Sequence, residues 1–235
     1  MSRVSPAVAL LFAGLVGCTT TVAGHGNPTL PTVAERALPS PAELADSVRQ
    51  PMLRDSIAQV GGLEALRPDN DAATPADCAV WTHAGNQRSY RGAPLRIAAR
   101  ESWKTPPSVE NGVTVTVVVV EMDSAASNLT RYTTTATRWG RCRGVTVNER
   151  LSALTFIEQI RSVGDADGML TAELAVSTAD DVMTPSLSRR ALTTTAQYVV
   201  DVEVFGMLDT PEYDHFDAAA VAHATVDKIG RLTGR

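Results

Sequence analysis

Lysine, cysteine and aromatic side chains are all scarce in this 235-residue chain. Lysine occurs only at positions 104 and 228, cysteine only at 18, 78 and 142, and Phe, Trp and Tyr together make up 5% of the residues. Acidic residues outnumber basic ones, for a formal charge of −5. That balance leaves no electrostatic footprint for nucleic acid or for an anionic lipid surface. The nucleophile-elbow pattern GxSxG, the zinc motif HExxH and a Walker phosphate loop are all absent, so the common hydrolase and nucleotide-binding classes have no signature here. Cysteine pairs of CxxC spacing are missing too, which makes zinc a poor alternative for Cys78 and Cys142. Gly24-His25-Gly26 lacks the third glycine of a dinucleotide loop, and no internal repeat is visible.

One apolar run is present, Val4 to Gly17 behind Arg3, and it is shorter than the roughly 20 residues a membrane-spanning helix needs. It reads as an export signal. The run ends in Leu15-Val16-Gly17-Cys18, which resembles the bacterial lipobox; that resemblance implies cleavage before Cys18 and acylation of it, palmitate included. Each buried methylene would contribute about 0.8 kcal/mol, so two or three chains anchor durably. The expected localisation is the cell membrane, lipid-anchored on its extracytoplasmic side. In such an oxidising setting the remaining pair, Cys78 and Cys142, is most economically a disulfide.

Residues 18–39 are rich in Thr, Pro, Ala and Gly without apolar periodicity and read as a flexible tether, leaving 40–235 as one folded domain. Ser40-Pro41-Ala42-Glu43 is a capping box with proline at the first helical position, predicting a helix to about Arg49. A second helical piece is predicted over Leu53 to Val60, ending at Gly61-Gly62, and a loop over Arg67 to Asp77. Ser89 to Trp103 predicts a bent or edge strand, and Val113 to Glu121 a central strand after an Asn111-Gly112 turn. Ala125, Leu129, Tyr132, Ala136 and Trp139 mark one face of a helix over 124–139, with Arg138, Arg141 and Arg143 at its end. Strands are predicted over Leu154 to Val163, Met169 to Thr178 and Leu192 to Phe205, the first two separated by Gly164-Asp165-Ala166-Asp167-Gly168, a hairpin turn signal. A polar loop, 179–189, separates the last two, and a helix over Asp217 to Leu232 closes the chain. The order implies an α+β fold: a twisted, mostly antiparallel sheet with helices packed against it and one disulfide.

Pro75-Ala-Asp-Cys78 ahead of a strand, an alanine-bearing helix and Trp139-Gly-Arg-Cys142-Arg-Gly144 resembles the PknH-like extracellular sensor domain of mycobacteria. That domain is found on receptor Ser/Thr kinases and alone in lipoproteins. The resemblance implies a disulfide-stapled frame and a cleft for an unidentified ligand. One departure stands out, since the kinase sensor has two disulfides and this chain has cysteines for one.

The function expected is therefore sensing or interaction: binding of an unidentified small molecule or envelope component in a cleft, without catalysis, cofactor or metal, and with no nucleic-acid partner. A lipid or glycolipid carrier is the alternative, marked by an apolar cavity large enough for acyl chains. The individual ligand-binding residues and the oligomeric state are not legible. Among possible chemical groups, the arginines after the middle helix offer an anion site or a solvated helix end. Trp81, Tyr90 and Trp103 line a cleft or, more simply, pack in the core. His83 reads as a polar residue near the disulfide, and Asp217 beside Asp214 and His215 as a helix cap. His215 and His223 lie about 12 Å apart along a helix and cannot share a metal ion. Asp165-Ala-Asp167-Gly168 reads as a hairpin turn, because Glu173 comes too early to close a calcium loop.

Overall fold

Six valines in ten residues decide the centre of the molecule. The computed structural model of the chain describes residues 30–109, 112–207 and 217–235. The predicted signal segment, Cys18, most of the tether, Asn111, Asp214 and His215 lie outside them. Strand β4 (Val113–Met122) runs through the middle of the sheet. Val113, Val115, Val117 and Val119 point into one core, Val118, Val120 and Met122 into another. The apolar run is unbroken where helices cover both faces, and it alternates with Thr114 and Thr116 where the second face opens into a cavity.

The other strands are β1 (Leu53–Arg54), β2 (Gln59–Gly61), β3 (Leu95–Lys104), β5 (Thr146–Leu151), β6 (Leu154–Ala166), β7 (Met169–Thr178), β8 (Ser186–Thr195) and β9 (Tyr198–Met207). Described pairings are all antiparallel, in the order β1-β3-β4-β9-β8-β7-β6-β5, with β2 also on the outer edge of β3. The α+β expectation holds.

The first face carries α1 (Val33–Ala37), α2 (Pro41–Val48) and α6 (Ala218–Thr233). The Ser40–Glu43 capping box forms as predicted: Ser40 Oγ accepts from the Glu43 amide, and a Glu43 carboxylate oxygen accepts from the Ser40 amide. Asp217 caps α6 by accepting from the Ala219 amide, and Lys228 donates to Leu38 O and Glu43 Oε2, both at 2.8 Å, tying α6 to the two N-terminal helices. The second face carries a 3-10 turn (Leu63–Ala65), α3 (Ala76–Ala79), α4 (Gln87–Tyr90) and α5 (Ala125–Arg141). Cys142 follows α5 and is joined to Cys78 in α3, with Cα atoms 5.6 Å apart. Trp81 and Trp139 meet edge to face beside the bridge, ring centroids 6.5 Å apart. So the cysteine among the arginines pins the end of α5 to the segment carrying Trp81 and His83.

Several expectations are corrected. The tether boundary at 39 falls too late, since α1 is capped by Thr32 and buries Ala34 and Ala37 against the first core. Leu53 to Val60 is not helical but forms β1 and β2. The free edge of β3 offers backbone partners that outweigh the weak local preference, as when the Asp55 amide donates to Ser102 O. β3 is bent by an irregularity between Leu95 and Ile97 and is paired on both sides, while Ser89 and Tyr90 belong to α4. The inner face of α5 is rotated from the apolar one: Leu129 is 62% exposed, whereas Asn128 and Thr135 are buried with Trp139. Asn128 Nδ2 donates to Ala196 O and Tyr198 O, both at 2.9 Å, so a polar side chain ties α5 to the β8–β9 turn. The single strand predicted over 192–205 is the hairpin β8–β9, which absorbs part of the expected polar loop, and β5 was not anticipated. The hairpin turn expected over 164–168 is present but tighter: β6 runs on to Ala166, and Asp167 and Gly168 alone turn the chain, both with the positive φ that a two-residue hairpin needs.

Candidate functional site

Alternation in β9 places Asp201, Glu203 and Phe205 on the second face, opposite the valines of the first core. Two acids in a row on the inner side of an apolar strand require partners, and the α3–α4 connection supplies them. The Gly85 amide donates to Asp201 Oδ2 at 2.8 Å and the Ala84 amide to Glu203 Oε2 at 2.9 Å. Arg190 of β8, also buried, pairs with Asp201 at 2.5 Å, donates to Trp81 O at 2.7 Å and lies over the Trp139 ring. Gly85 has φ +66°, and a Cβ there would come within 2.8 Å of Val118, so the connection fits the sheet only with glycine.

This seating delivers His83 into the middle of three glutamates from three strands. Its Nδ1 lies 3.1 Å from Glu203 Oε1 of β9, and its Nε2 lies 2.9 Å from Glu149 Oε2 of β5 and 3.3 Å from Glu158 Oε1 of β6. Strands β9 and β6 stand three places apart, about 14 Å in a flat sheet, so converging side chains close the distance on one ring. Asn70 and Arg67 hold the other oxygen of Glu149, at 3.1 and 3.5 Å. Above the ring opens a cavity of about 260 Å³, walled by Leu151, Phe156, Val176 and Phe205 with Thr114 and Thr116 at one side.

Burial opposes charge on His83, but Glu203 and Glu158 nearby and the hydrogen bonds to Glu149 and Glu203 outweigh it and push the imidazole up to about 9. The reverse holds for Glu149 and Glu203. Burial disfavours their ionisation, yet the imidazolium and neighbouring arginines hold both carboxyls at about 2. Glu158 differs: its burial dominates and shifts it upward despite His83. One imidazolium thus faces two firm carboxylates and one reluctant one, at the floor of a cavity with apolar walls. Such a floor recognises hydrogen-bond donors and positive charge, while the walls take an apolar group.

His83 therefore does more than sit near the disulfide. Trp81, Tyr90 and Trp103 are all buried, Trp103 in the first core and the other two in the second, as the packing reading expected. Arg138 and Arg141 border a second cavity of about 470 Å³ beside the disulfide, together with Arg88, which is already paired to Asp69 and Asp71. Arg143 instead reaches Val163 O. His223 is exposed on α6. Sequence reasoning missed Glu149, Glu158 and Glu203. The available signal was a charge on the inward beat of an apolar strand, in Val202-Glu203-Val204 and Ile157-Glu158.

The family model described as the PknH-like extracellular domain matches residues 30–228. Among solved structures, the extracellular domain of PknH from Mycobacterium tuberculosis is similar, with a TM-score of 0.70 and 20% identity over 86% of this chain and 98% of that one. That likeness is one of fold. A putative uncharacterized protein (Rv0999 ortholog) from Mycobacterium smegmatis aligns over 83% of this chain and 96% of its own at 12% identity, with a TM-score of 0.40 that carries no argument. No curated protein matches the chain.

Proposed function

The chain belongs to the PknH-like extracellular domain family, and from that premise we propose that it is a lipid-anchored, extracytoplasmic, non-catalytic module that binds a small molecule or envelope component in the cavity above His83. One observation carries the reading: a partly exposed imidazole and three glutamates from separate strands, gathered at a cost in desolvation, form the floor of a cavity open to solvent. A charge cluster serving stability alone has no need of a solvent-facing cavity. The family's extracellular placement and the lipobox-like Leu15-Val16-Gly17-Cys18 support attachment at the outer side of the membrane. The acyl-carrier reading gains nothing from the two cavities, because charged side chains border both.

The test is mass spectrometry of small molecules that co-purify with the protein from its native envelope, compared with a His83→Ala variant. A compound enriched with the natural chain and lost with the variant is expected; identical profiles contradict the reading. Separately, Cys18→Ala is expected to move the protein out of the membrane fraction, and unchanged retention contradicts the anchor.

A further inference from the structure

We infer that the cluster at the cavity floor is a binding site for one divalent transition-metal ion, with His83 Nε2, Glu149 Oε2 and Glu158 Oε1 as ligands and a coordination position open to the cavity. The inference deepens the ligand-binding reading and rests on it. One donor atom from each of the three residues lies within 4.8 Å of the others, and the two edges meeting at His83 Nε2 are 2.9 and 3.3 Å. An ion with bonds of about 2.1 Å puts neighbouring ligands about 3.0 Å apart in an octahedral shell and about 3.4 Å apart in a tetrahedral one. The donors are thus already spaced as the edge of a coordination shell.

The surroundings orient each ligand as a metal needs. Glu203 Oε1 faces His83 Nδ1 at 3.1 Å, and Glu203 is itself fixed by the Ala84 amide at 2.9 Å and the Ser188 hydroxyl at 3.5 Å. A carboxylate that takes the Nδ1 proton leaves the Nε2 lone pair toward Glu149 and Glu158, the carboxylate–histidine–metal arrangement. Asn70 and Arg67 occupy Glu149 Oε1, leaving Oε2 free for an ion. Glu158 supplies an independent sign. Its side chain is 3% exposed and lines the cavity, yet among the described residues Oε2 meets no donor in hydrogen-bond geometry. The neighbouring Thr82 hydroxyl donates to Ala79 O at 3.0 Å instead. A buried carboxylate oxygen without a partner is costly, and a cation beside the group relieves it.

One imidazole and two carboxylates favour zinc and its first-row neighbours over calcium and magnesium, which take oxygen ligands, and over copper(I), which takes sulfur. Two ligating carboxylates neutralise a divalent charge, and the open position would let the ion hold a polar group of whatever occupies the cavity.

The test titrates the full chain in detergent, stripped by chelator, with Zn²⁺ in a calorimeter and repeats the titration with Ca²⁺. One equivalent of Zn²⁺ is expected with no comparable Ca²⁺ binding. Glu158→Gln and His83→Ala should each weaken Zn²⁺ binding at least tenfold, and Glu203→Gln about 10- to 100-fold through loss of ring orientation. Circular dichroism confirms that each variant is folded, and Glu149→Gln replaces any that is not. The inference is overturned if the natural chain binds no Zn²⁺, if the variants bind it as well as the natural chain does, or if Ca²⁺ binds equally. Those outcomes leave the organic-ligand reading standing, because the co-purification experiment reads a different species.

Discussion

The two faces of one sheet contrast sharply. On the first, Val115, Val117, Val119, Val200, Val202 and Val204 meet three helices in a core built mainly of aliphatic side chains. On the second, the same sheet presents Asp201, Glu203, Glu158 and Arg190 to helices, a disulfide and a cavity. Burial of the first kind stabilises without specifying a partner. The second kind costs desolvation, and covalent and cationic struts hold its parts: Cys78–Cys142, Arg190–Asp201 and Arg131 stacked 4.4 Å above the Tyr90 ring. The comparison teaches that stability and recognition are divided across the sheet, with β4 and β9 serving both.

The division breaks most severely at the buried ion pair. Asp201→Ala strands the Arg190 charge and is expected to cost about 3–5 kcal/mol in urea unfolding. Cys142→Ser, which opens a bridge spanning 64 residues, should cost about 2–5 kcal/mol under oxidising conditions and nothing once both proteins are reduced. On the other face, Leu44→Ala should cost about 2–5 kcal/mol as a cavity mutation while leaving ligand and Zn²⁺ binding unaltered. Loss of binding there would erase the distinction between the faces.

Acidity sharpens the comparison further. With chelator present, Glu149 and Glu203, held at about 2, stabilise the fold above their ordinary value of 4.5 and lose that contribution as pH falls toward 2. His83, raised to about 9, contributes fully below its ordinary 6.5 and loses the contribution as pH rises through 9. Arg67, Arg100 and Arg190 lie around them, and Glu158, shifted upward by burial, draws the optimum toward the lower end. The urea midpoint should therefore peak between pH 4.5 and 6.5, and a His83→Ala variant should lose the decline on the alkaline side. The smallest effect belongs to Leu129→Ser on the outer side of α5, expected within about 0.5 kcal/mol of the natural chain.

Much of the frame was legible in the chain, the bridge and the middle helix of the second face included, but the site was not. Val113 to Glu121, the Ser40 capping box, the Asp167-Gly168 turn and the last helix announce themselves because local periodicity and caps agree with the tertiary structure. The β8–β9 hairpin was hidden because Ala196-Gln197 carries no turn signal, though Ala196 adopts φ 49°. β5, a polar strand at the sheet edge, lacks the apolar alternation that would reveal it. The site itself comes from positions 83, 149, 158 and 203, and only sheet order and the bridge bring those together.

Hydrogen exchange of the chain, with and without an extract of its native envelope, tests the central claim most directly. Slowed exchange confined to residues 82–85, 147–151, 156–158 and 201–205 is the result predicted for a ligand seated above His83. Slowed exchange on α2 and α6, with those segments unchanged, would contradict the division of labour between the two faces.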